Sequence, residues 1–415
     1  MSEIETATTA TGKGAKLRRH ALVAAIFMMA TSAIGPGFIT QTATFTASMG
    51  ATFAFAILVS VLIDFVVQMN IWRIVTLSKC RAAELANRAV PGTGYLLAVF
   101  ILLGGFVFNV GNIAGAGLGT NALLGMDPKI GGLISALIAV AIFLSRRAGL
   151  LMDRVVVVLG VVMLLMTLFV AGVSHPPVGE ALSQSIWPDS INFATIVTIV
   201  GGTIGGYITY AGAHRLLDQG MVGEENLAAV TRASVTGIVV TGVMRFVLFL
   251  AVLGVVSAGL VMDTTGHAAN PAAQAFQAAA GDLGLRVFGA ILWGAAITSV
   301  IGAAYTSVSF LTVFLPSLTE RGRAYATVAF IAASLATYVG LGTAPAALLV
   351  FAGGFNGLIL PLGFSLFIYV GWARRDLLNG YSYPRSLLIL GTIVCALTWY
   401  MGFKSVGSIF AFLGQ

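Results

Sequence analysis

Charge is scarce in this chain. Asp, Glu, Lys and Arg together make up 9% of its 415 residues, where a soluble domain carries about 25%, so a water-soluble globule is excluded. Histidine (4) and cysteine (2) are few as well. That argues against a clustered His/Cys metal centre and a disulfide framework: Cys80 falls in a polar loop and Cys395 in an apolar stretch, environments too different to pair. No phosphate-cradling glycine loop, zinc-binding helix or nucleophile elbow occurs, so the chain reads as a non-enzyme without a cofactor. Long polar segments are missing too. Apart from a polar tail over residues 1–20, the one extended polar connection runs from 258 to 285, with Asp263, His267, Asn270 and Asp282. Its alanine-rich piece, Ala272 to Ala280, can form a short interfacial helix; a plain connector fits its composition better than a lid.

What is abundant is apolar surface: 58% of the residues are hydrophobic. Stretches of about 20 apolar residues, the length that spans a bilayer, are predicted at 21–47, 51–76, 94–124, 130–145, 154–173, 192–212, 233–260, 287–315, 324–342, 345–372 and 386–412. The predicted fold class is an all-α polytopic membrane protein with about eleven spans. Lys and Arg set its orientation. With a cytoplasmic amino terminus, eighteen of the 22 fall on inner segments, among them Arg81, Arg88, Arg215, Arg323 and Arg374. Only Lys129, Arg286 and Lys404 fall outside, and Arg245 lies within a span, which predicts a bacterial-type inner membrane location with an outward carboxyl terminus. The net charge of +7 thus reports orientation and partnership with a lipid bilayer. Dispersal of the basic residues over many short loops argues against a nucleic-acid surface.

Two spans are broken in the middle. One carries Gly35-Pro36-Gly37 followed by Thr40, Gln41, Thr42 and Thr44; the other carries Gly201, Gly202, Thr203, Gly205, Gly206 and Tyr207. Unwound backbone at membrane depth persists only where protein buries it or where it lines a polar cavity, so each break predicts a site. The breaks open two sets of five spans, 21–173 and 192–372, followed by one additional helix at 386–415. That arrangement is expected of inverted repeats with a midplane binding site in a secondary transporter.

These residues resemble a known family. Gly35-Pro36-Gly37-Phe38-Ile39 is similar to the opening of the first helix in the NRAMP divalent-metal transporters, and Val66-Val67-Gln68 to the end of their second. Asn109-Val110-Gly111-Asn112 with Asn121-Ala122-Leu123-Leu124-Gly125 is similar to their third helix. The resemblance covers most of the membrane region. It implies a leucine-transporter-like fold of five plus five helices, with the first and sixth broken, and it marks this chain as a divergent branch. The family's first break carries Asp-Pro-Gly-Asn and its sixth helix Met-Pro-His, which bind metal. Here Thr203-Ile204-Gly205-Gly206-Tyr207 stands at the second position, so glycine replaces the sulfur ligand and Tyr207 the histidine. The third-helix acids become Asn109 and Asn112, which do not titrate.

A dehydrated divalent ion needs hard anionic oxygen or soft sulfur, and this lining offers neither. The expected substrate contacts are therefore Thr40, Gln41, Thr42, Thr44, Asn109, Asn112, Thr203, Gly205, Gly206, Tyr207 and Asn356. Together they predict a small polar organic solute, a carboxylate or amino-acid-like molecule. Family-level resemblance suggests 5-oxoproline, since relatives of this type are often encoded beside 5-oxoprolinase subunits. The alternatives are Mg²⁺ or Mn²⁺ transport through a rebuilt site, and a channel or non-transporting sensor. Coupling to Na⁺ or H⁺ would use hydroxyls on the eighth span, Thr306, Ser307 and Ser309, by analogy with sodium-coupled relatives of this architecture. Asp64 and Arg245 lie in the second and seventh spans, equivalent positions of the two repeats, and are expected to form a buried structural ion pair. His214 is expected as an ordinary loop-proximal histidine.

Overall fold

The computed structural model describes Leu22 and residues 33–264, 266, 268–341 and 343–411, without the side chains of 146–157. The tail and the opening of the first span, along with His267, lie outside the described residues. Among the described residues all regular structure is helical: α1 (Pro36–Met49), α2 (Phe53–Ser78), α3 (Ala82–Ala89), α4 (Thr93–Leu124), α5 (Pro128–Leu144), α6 (Arg146–Val173), α7 (Val178–Ile186), α8 (Phe193–Ile204), α9 (Ile208–Asp218), α10 (Leu227–Ser257), α11 (Pro271–Ser309), α12 (Glu320–Gly340), α13 (Pro345–Ala373) and α14 (Arg385–Ala411), besides short 3₁₀ turns. The predicted spans fall on these helices where they are described; the opening of the first lies outside the described residues, and α11 begins 16 residues before the predicted 287. Seven helical stretches among the described residues are long and apolar enough to cross a membrane, with Pro36–Ser78 counted as one, and eight if the bent pair α6–α7 is included. The predicted span at 130–145 is the short apolar helix α5. The one at 324–342 lies on α12, which is not among the seven.

Local chemistry sets the boundaries. Pro128, Pro271 and Pro345 each open a helix, where the missing N–H costs nothing. Asp127, Asn192, Asn270 and Thr319 cap their helices by accepting backbone N–H bonds. Two helices were not foreseen: α3, and α7, which turns by 107° from α6. The alanine-rich piece is helical, as its composition allows, and is packed inward. It is a helix whose Ala272 and Phe276 are wholly buried, joined to the eighth span through Gly281 at φ +62°.

The centre of the bundle is α1, packed by α4, α8, α10, α11 and α13. Hydrophobic driving force between helices is weak in lipid, so close approach of small residues does the work. A Cβ on Gly201 would lie 2.0 Å from the Gly353 carbonyl, and one on Gly357 would lie 2.2 Å from that of Val197, so α8 and α13 touch backbone to backbone. The outward faces of α5 and α14 instead expose Leu133, Leu137, Ile389, Ile393 and Phe403.

Basic residues gather at one end. Arg374 donates to the carbonyls of Arg88 and Ala89, and Arg81 pairs with Asp218 at 2.5 Å. Beside them a hydrogen bond from Arg374 holds the Asp376 carboxyl below its usual range. Burial, reinforced by Glu84, pushes the Cys80 thiol up.

Candidate functional site

Both broken spans are pinned by glycine. In the second, Gly205 is extended (ψ 167°) and Gly206 takes φ +54°, so α8 ends at Ile204 and α9 restarts at Ile208. A Cβ on Gly206 would lie 1.9 Å from Asn356 Oδ1, so both the backbone and the space there require glycine. In the first, extended Gly35 (ψ −175°) precedes Pro36 at the start of α1. A Cβ on Gly35 would fall 2.8 Å from Ser299 Oγ and 3.9 Å from Asn112 Oδ1, which places α11 and α4 against this break.

The predicted site residues divide by what their side chains do. Gln41 is fully buried, with Nε2 donating to the Leu349 carbonyl at 3.0 Å. Its amide fills a slot between Gly202 and Gly353, where added Cβ atoms would sit 2.3 Å from Oε1 and Nε2 respectively. It thus ties α1 to α8 and α13, with Oε1 left over. Thr42 and Thr203 turn inward on their own helices, donating at 2.7 Å to the carbonyls of Phe38 and Ile199, and retain only acceptor capacity. Thr40 and Thr44 keep hydroxyls without a protein partner. Asn112 lies against the first break with Nδ2 unpartnered, and Tyr207 meets Phe108 edge-on at 5.6 Å. Asn356 donates to the carbonyls of Gly104 and Ala352, leaving Oδ1 facing Gly206.

Three expectations need correction. Asn109 and Asn112 were placed on one route-lining face, but Asn109 donates to Ser334 on α12 while Asn112 lies near Gly35 of the first break. Residues three apart still diverge enough at a crossing to reach different neighbours. Thr306, Ser307 and Ser309 do not lie against the first break. Ser309 donates to the Thr306 carbonyl at 2.6 Å, Ser307 is close enough to Gly105 that a Cβ there would meet its Oγ, and Thr306 and Ser309 line a small cavity with His214 at the basic end. The α11 residue at the first break is Ser299, one heptad and about 10 Å earlier along the helix.

The third correction concerns the buried charges. Asp64 and Arg245 are each 2% exposed and near enough for their charges to act on one another, yet no nitrogen–oxygen contact within 4 Å joins them. Arg245 Nη1 instead donates to the Ile199 carbonyl at 3.1 Å, and the guanidinium stacks over the Phe38 ring at 4.2 Å. Phe38 follows the first break and Ile199 precedes the second, so Arg245 bridges the two broken spans. Sequence reasoning missed Phe38, Ile199 and Leu349. The last two act through backbone carbonyls, which residue identity does not reveal, and Phe38 looks like any apolar span residue.

The buried atoms without a protein partner include Thr40 Oγ1, Gln41 Oε1, Thr44 Oγ1, Asn112 Nδ2 and Asn356 Oδ1, all on or against the breaks. Others, on Gln68, Arg73, His214 and Asn270, lie elsewhere; a buried polar group left unmatched costs about 1–3 kcal/mol, and those at the breaks are available to a polar molecule. Among the described residues no three of His, Cys, Asp and Glu converge as metal ligands. A cavity of about 470 Å³ opens at the basic end, lined among others by Arg81, Glu84, Arg88, His214 and Ser309. His214 is there a buried structural residue whose Nε2 accepts from the Ala82 backbone N–H. A second cavity, about 370 Å³, lies at the other end beside Ala47, Ser48 and Met262. Neither lining includes a residue of the breaks.

Comparison with known proteins agrees with this architecture. The sequence profile described as "Nramp: Natural resistance-associated macrophage protein-like" matches residues 26–407. The "uncharacterized membrane protein YcsG" of Bacillus subtilis is 49% identical over 381 residues, covering 92% of this chain and 93% of its own. An uncharacterized membrane protein of Haemophilus influenzae is 49% identical over 389 residues, covering 94% and 96%. Among solved structures, a mutant manganese transporter of Eremococcus coleocola superposes with a TM-score of 0.70 at 15% identity, over 93% of this chain and 86% of its own. MhsT in complex with L-phenylalanine does so with 0.62 at 13% identity, over 94% and 98%. These two likenesses establish the leucine-transporter-like fold. With the profile covering nearly the whole sequence and two relatives matching end to end, this multi-pass membrane protein belongs to the Nramp family.

Proposed function

We propose that this chain is a secondary transporter that carries a small polar organic solute across the membrane by alternating access. The solute is a carboxylate or amino-acid-like molecule such as 5-oxoproline, and its movement is driven by a gradient of Na⁺ or H⁺. The observation that carries the reading is the neutral, hydroxyl- and amide-bearing lining at both breaks, with Gly205 and Gly206 where the family places sulfur and a proline. Such a lining matches donors and acceptors of an organic molecule and offers a bare divalent ion no anionic or soft ligand at the breaks. The two five-helix units, 21–173 and 192–372, are the inverted repeats that bring the two breaks together, with 386–415 added outside them. The amino terminus faces the cytoplasm of a bacterial-type cell and the carboxyl terminus the outside, as the gathering of Arg81, Arg88 and Arg374 at one end favours.

The fold shared with a manganese transporter supports metal transport as the second reading, and Mg²⁺ held with much of its water is its most compatible form. Thermal-shift measurement on the purified protein separates the two, because a ligand of the native state raises the unfolding temperature. Stabilisation by small carboxylates or amino acids, with silence from Mn²⁺ and Mg²⁺, is expected; a micromolar response to Mn²⁺ alone overturns the proposal. In proteoliposomes, saturable uphill uptake is expected, whereas downhill flux far above carrier rates identifies a channel.

A further inference from the structure

Arg245 is placed and equipped for more than packing. It sits on α10 at the crossing of the two broken spans, held from one side by the Phe38 ring and from the other by the Ile199 carbonyl. Those contacts occupy one face of the guanidinium plane and one of its nitrogens. Nε and Nη2 remain without a hydrogen-bond partner although the residue is 2% exposed. An arginine edge with paired N–H donors matches the two oxygens of a carboxylate, and a buried arginine that keeps this edge unused is energetically costly unless something takes it. Asp64 is the neighbouring charge, and it does not take it: no contact within 4 Å joins the two, and Asp64 Oδ1 is itself unpartnered.

We infer that Arg245 receives the carboxylate of the transported solute on Nε and Nη2, and that Asp64 takes up a proton as the solute binds. The inference rests on the transporter reading above and names its substrate class and driving ion. Charge balance is the argument. Without solute, the Arg245 cation and the Asp64 anion sum to zero inside the membrane. A monocarboxylate that engages Arg245 would leave one net negative charge there, at a large desolvation cost. A proton on Asp64, arriving with the solute from the side to which the site is open, restores zero. One carboxylate and one proton then cross together, and both leave together. No bond other than the Asp64 O–H forms or breaks. The same balance disfavours a dicarboxylate, for which one arginine and one proton are insufficient.

Nothing else nearby supplies the charge. Of the described elements packed on α2, α8 and α1 carry no titratable side chain, α7 carries Glu180, α9 carries Tyr210, His214, Arg215 and Asp218, α3 carries Glu84 and Arg88, and the 3₁₀ turns at 224–226 and 375–378 carry Glu224, Glu225, Arg375 and Asp376. From α10 come Arg232 and Arg245, from α13 Tyr369, and from α14 Arg385, Cys395, Tyr400 and Lys404. Arg245 alone among these charges acts on Asp64. Arg73, two turns along α2, is engaged by Thr231 at 2.8 Å.

Calorimetry on the full chain in nanodiscs, with 5-oxoproline, lactate and Mn²⁺ as probes, tests this. A carboxylate is expected to bind with uptake of one proton, read as the dependence of heat on the ionisation enthalpy of the buffer. Its affinity should rise towards tenfold per unit fall in pH. 2-Pyrrolidinone, which keeps the ring of 5-oxoproline but lacks the carboxylate, should not bind. Arg245→Lys keeps the charge but loses the fork, and should weaken binding at least tenfold. Asp64→Asn should bind with no proton uptake and a flat pH profile. Carboxylate binding by the wild-type protein without proton uptake, or undiminished in Arg245→Lys, overturns this inference and leaves the proposed function standing. Binding of 2-pyrrolidinone as strong as that of 5-oxoproline does the same. Response to Mn²⁺ alone, or to none of the probes, overturns the inference; a Mn²⁺ response overturns the proposed function with it. The proton count is made on the wild-type protein and so does not depend on any variant folding.

Discussion

Two polar clusters flank the same crossing of broken helices, and they are built oppositely. On one side Asn356, Gly104, Gly206, Gly105 and Ser307 form a neutral cluster in which glycines bring backbone within reach of side chains. On the other Arg245 leans on the Phe38 ring and the Ile199 carbonyl, with Asp64 near it but out of contact. The neutral cluster tolerates almost no added volume but little is lost when one hydrogen bond goes. The charged cluster has spare hydrogen-bonding capacity, but neither partner can lose the other. Close packing and spare hydrogen-bonding capacity are thereby divided between different residues around the breaks.

Breaking the charged side should have the largest effect. Arg245→Leu leaves Asp64 buried with no opposing charge, and a loss of about 3–5 kcal/mol is expected, seen as a lower thermal midpoint and aggregation in detergent. The double variant Asp64→Leu with Arg245→Leu should recover most of that loss; equal damage from single and double variants would show that the charges do not compensate each other. On the neutral side, Gly206→Ala combines a left-handed backbone with a collision against Asn356 Oδ1. About 2–4 kcal/mol is expected. Gly50→Ala provides the contrast, since Gly50 shares the positive φ (+58°, with ψ −139°) but has nothing within 4 Å of an added Cβ; about 1–3 kcal/mol, all of it backbone strain, is expected there. The smallest effect should come from Asn356→Ala, which removes two hydrogen bonds to carbonyls without stranding a charge. About 1–2 kcal/mol is expected by thermal unfolding, and it should partly relieve Gly206→Ala when the two are combined.

Much of this architecture was legible in the residues. Bilayer-length apolar stretches located the spans because length and hydropathy are dictated by the solvent, and the glycine interruption at 201–207 contained the second break, although Gly201–Ile204 stay helical and only 205–207 unwind. The short helices α3 and α7 were not legible, since eight or nine residues with mixed polarity carry no span signal. Asp64 and Arg245 were legible as neighbours, because equivalent positions in a repeat come together. Their geometry was not, because it depends on where Phe38 and a carbonyl of α8 happen to stand. The same holds for Gln41: a buried amide was foreseeable, but a slot made from the absent side chains of Gly202 and Gly353 is visible only once α8 and α13 are placed. Asn109 misled because helical periodicity fixes a face, not the neighbour that the face meets.

The Gln41 slot has a mechanical corollary. An amide keyed between two glycines locks three helices in register like a pin through a hasp, so a lengthwise slip of α1 past α8 or α13 must first extract a buried side chain and abandon the Leu349 carbonyl. Tilting about the pin meets no such obstacle. A pivot that keeps Gln41 seated avoids that cost.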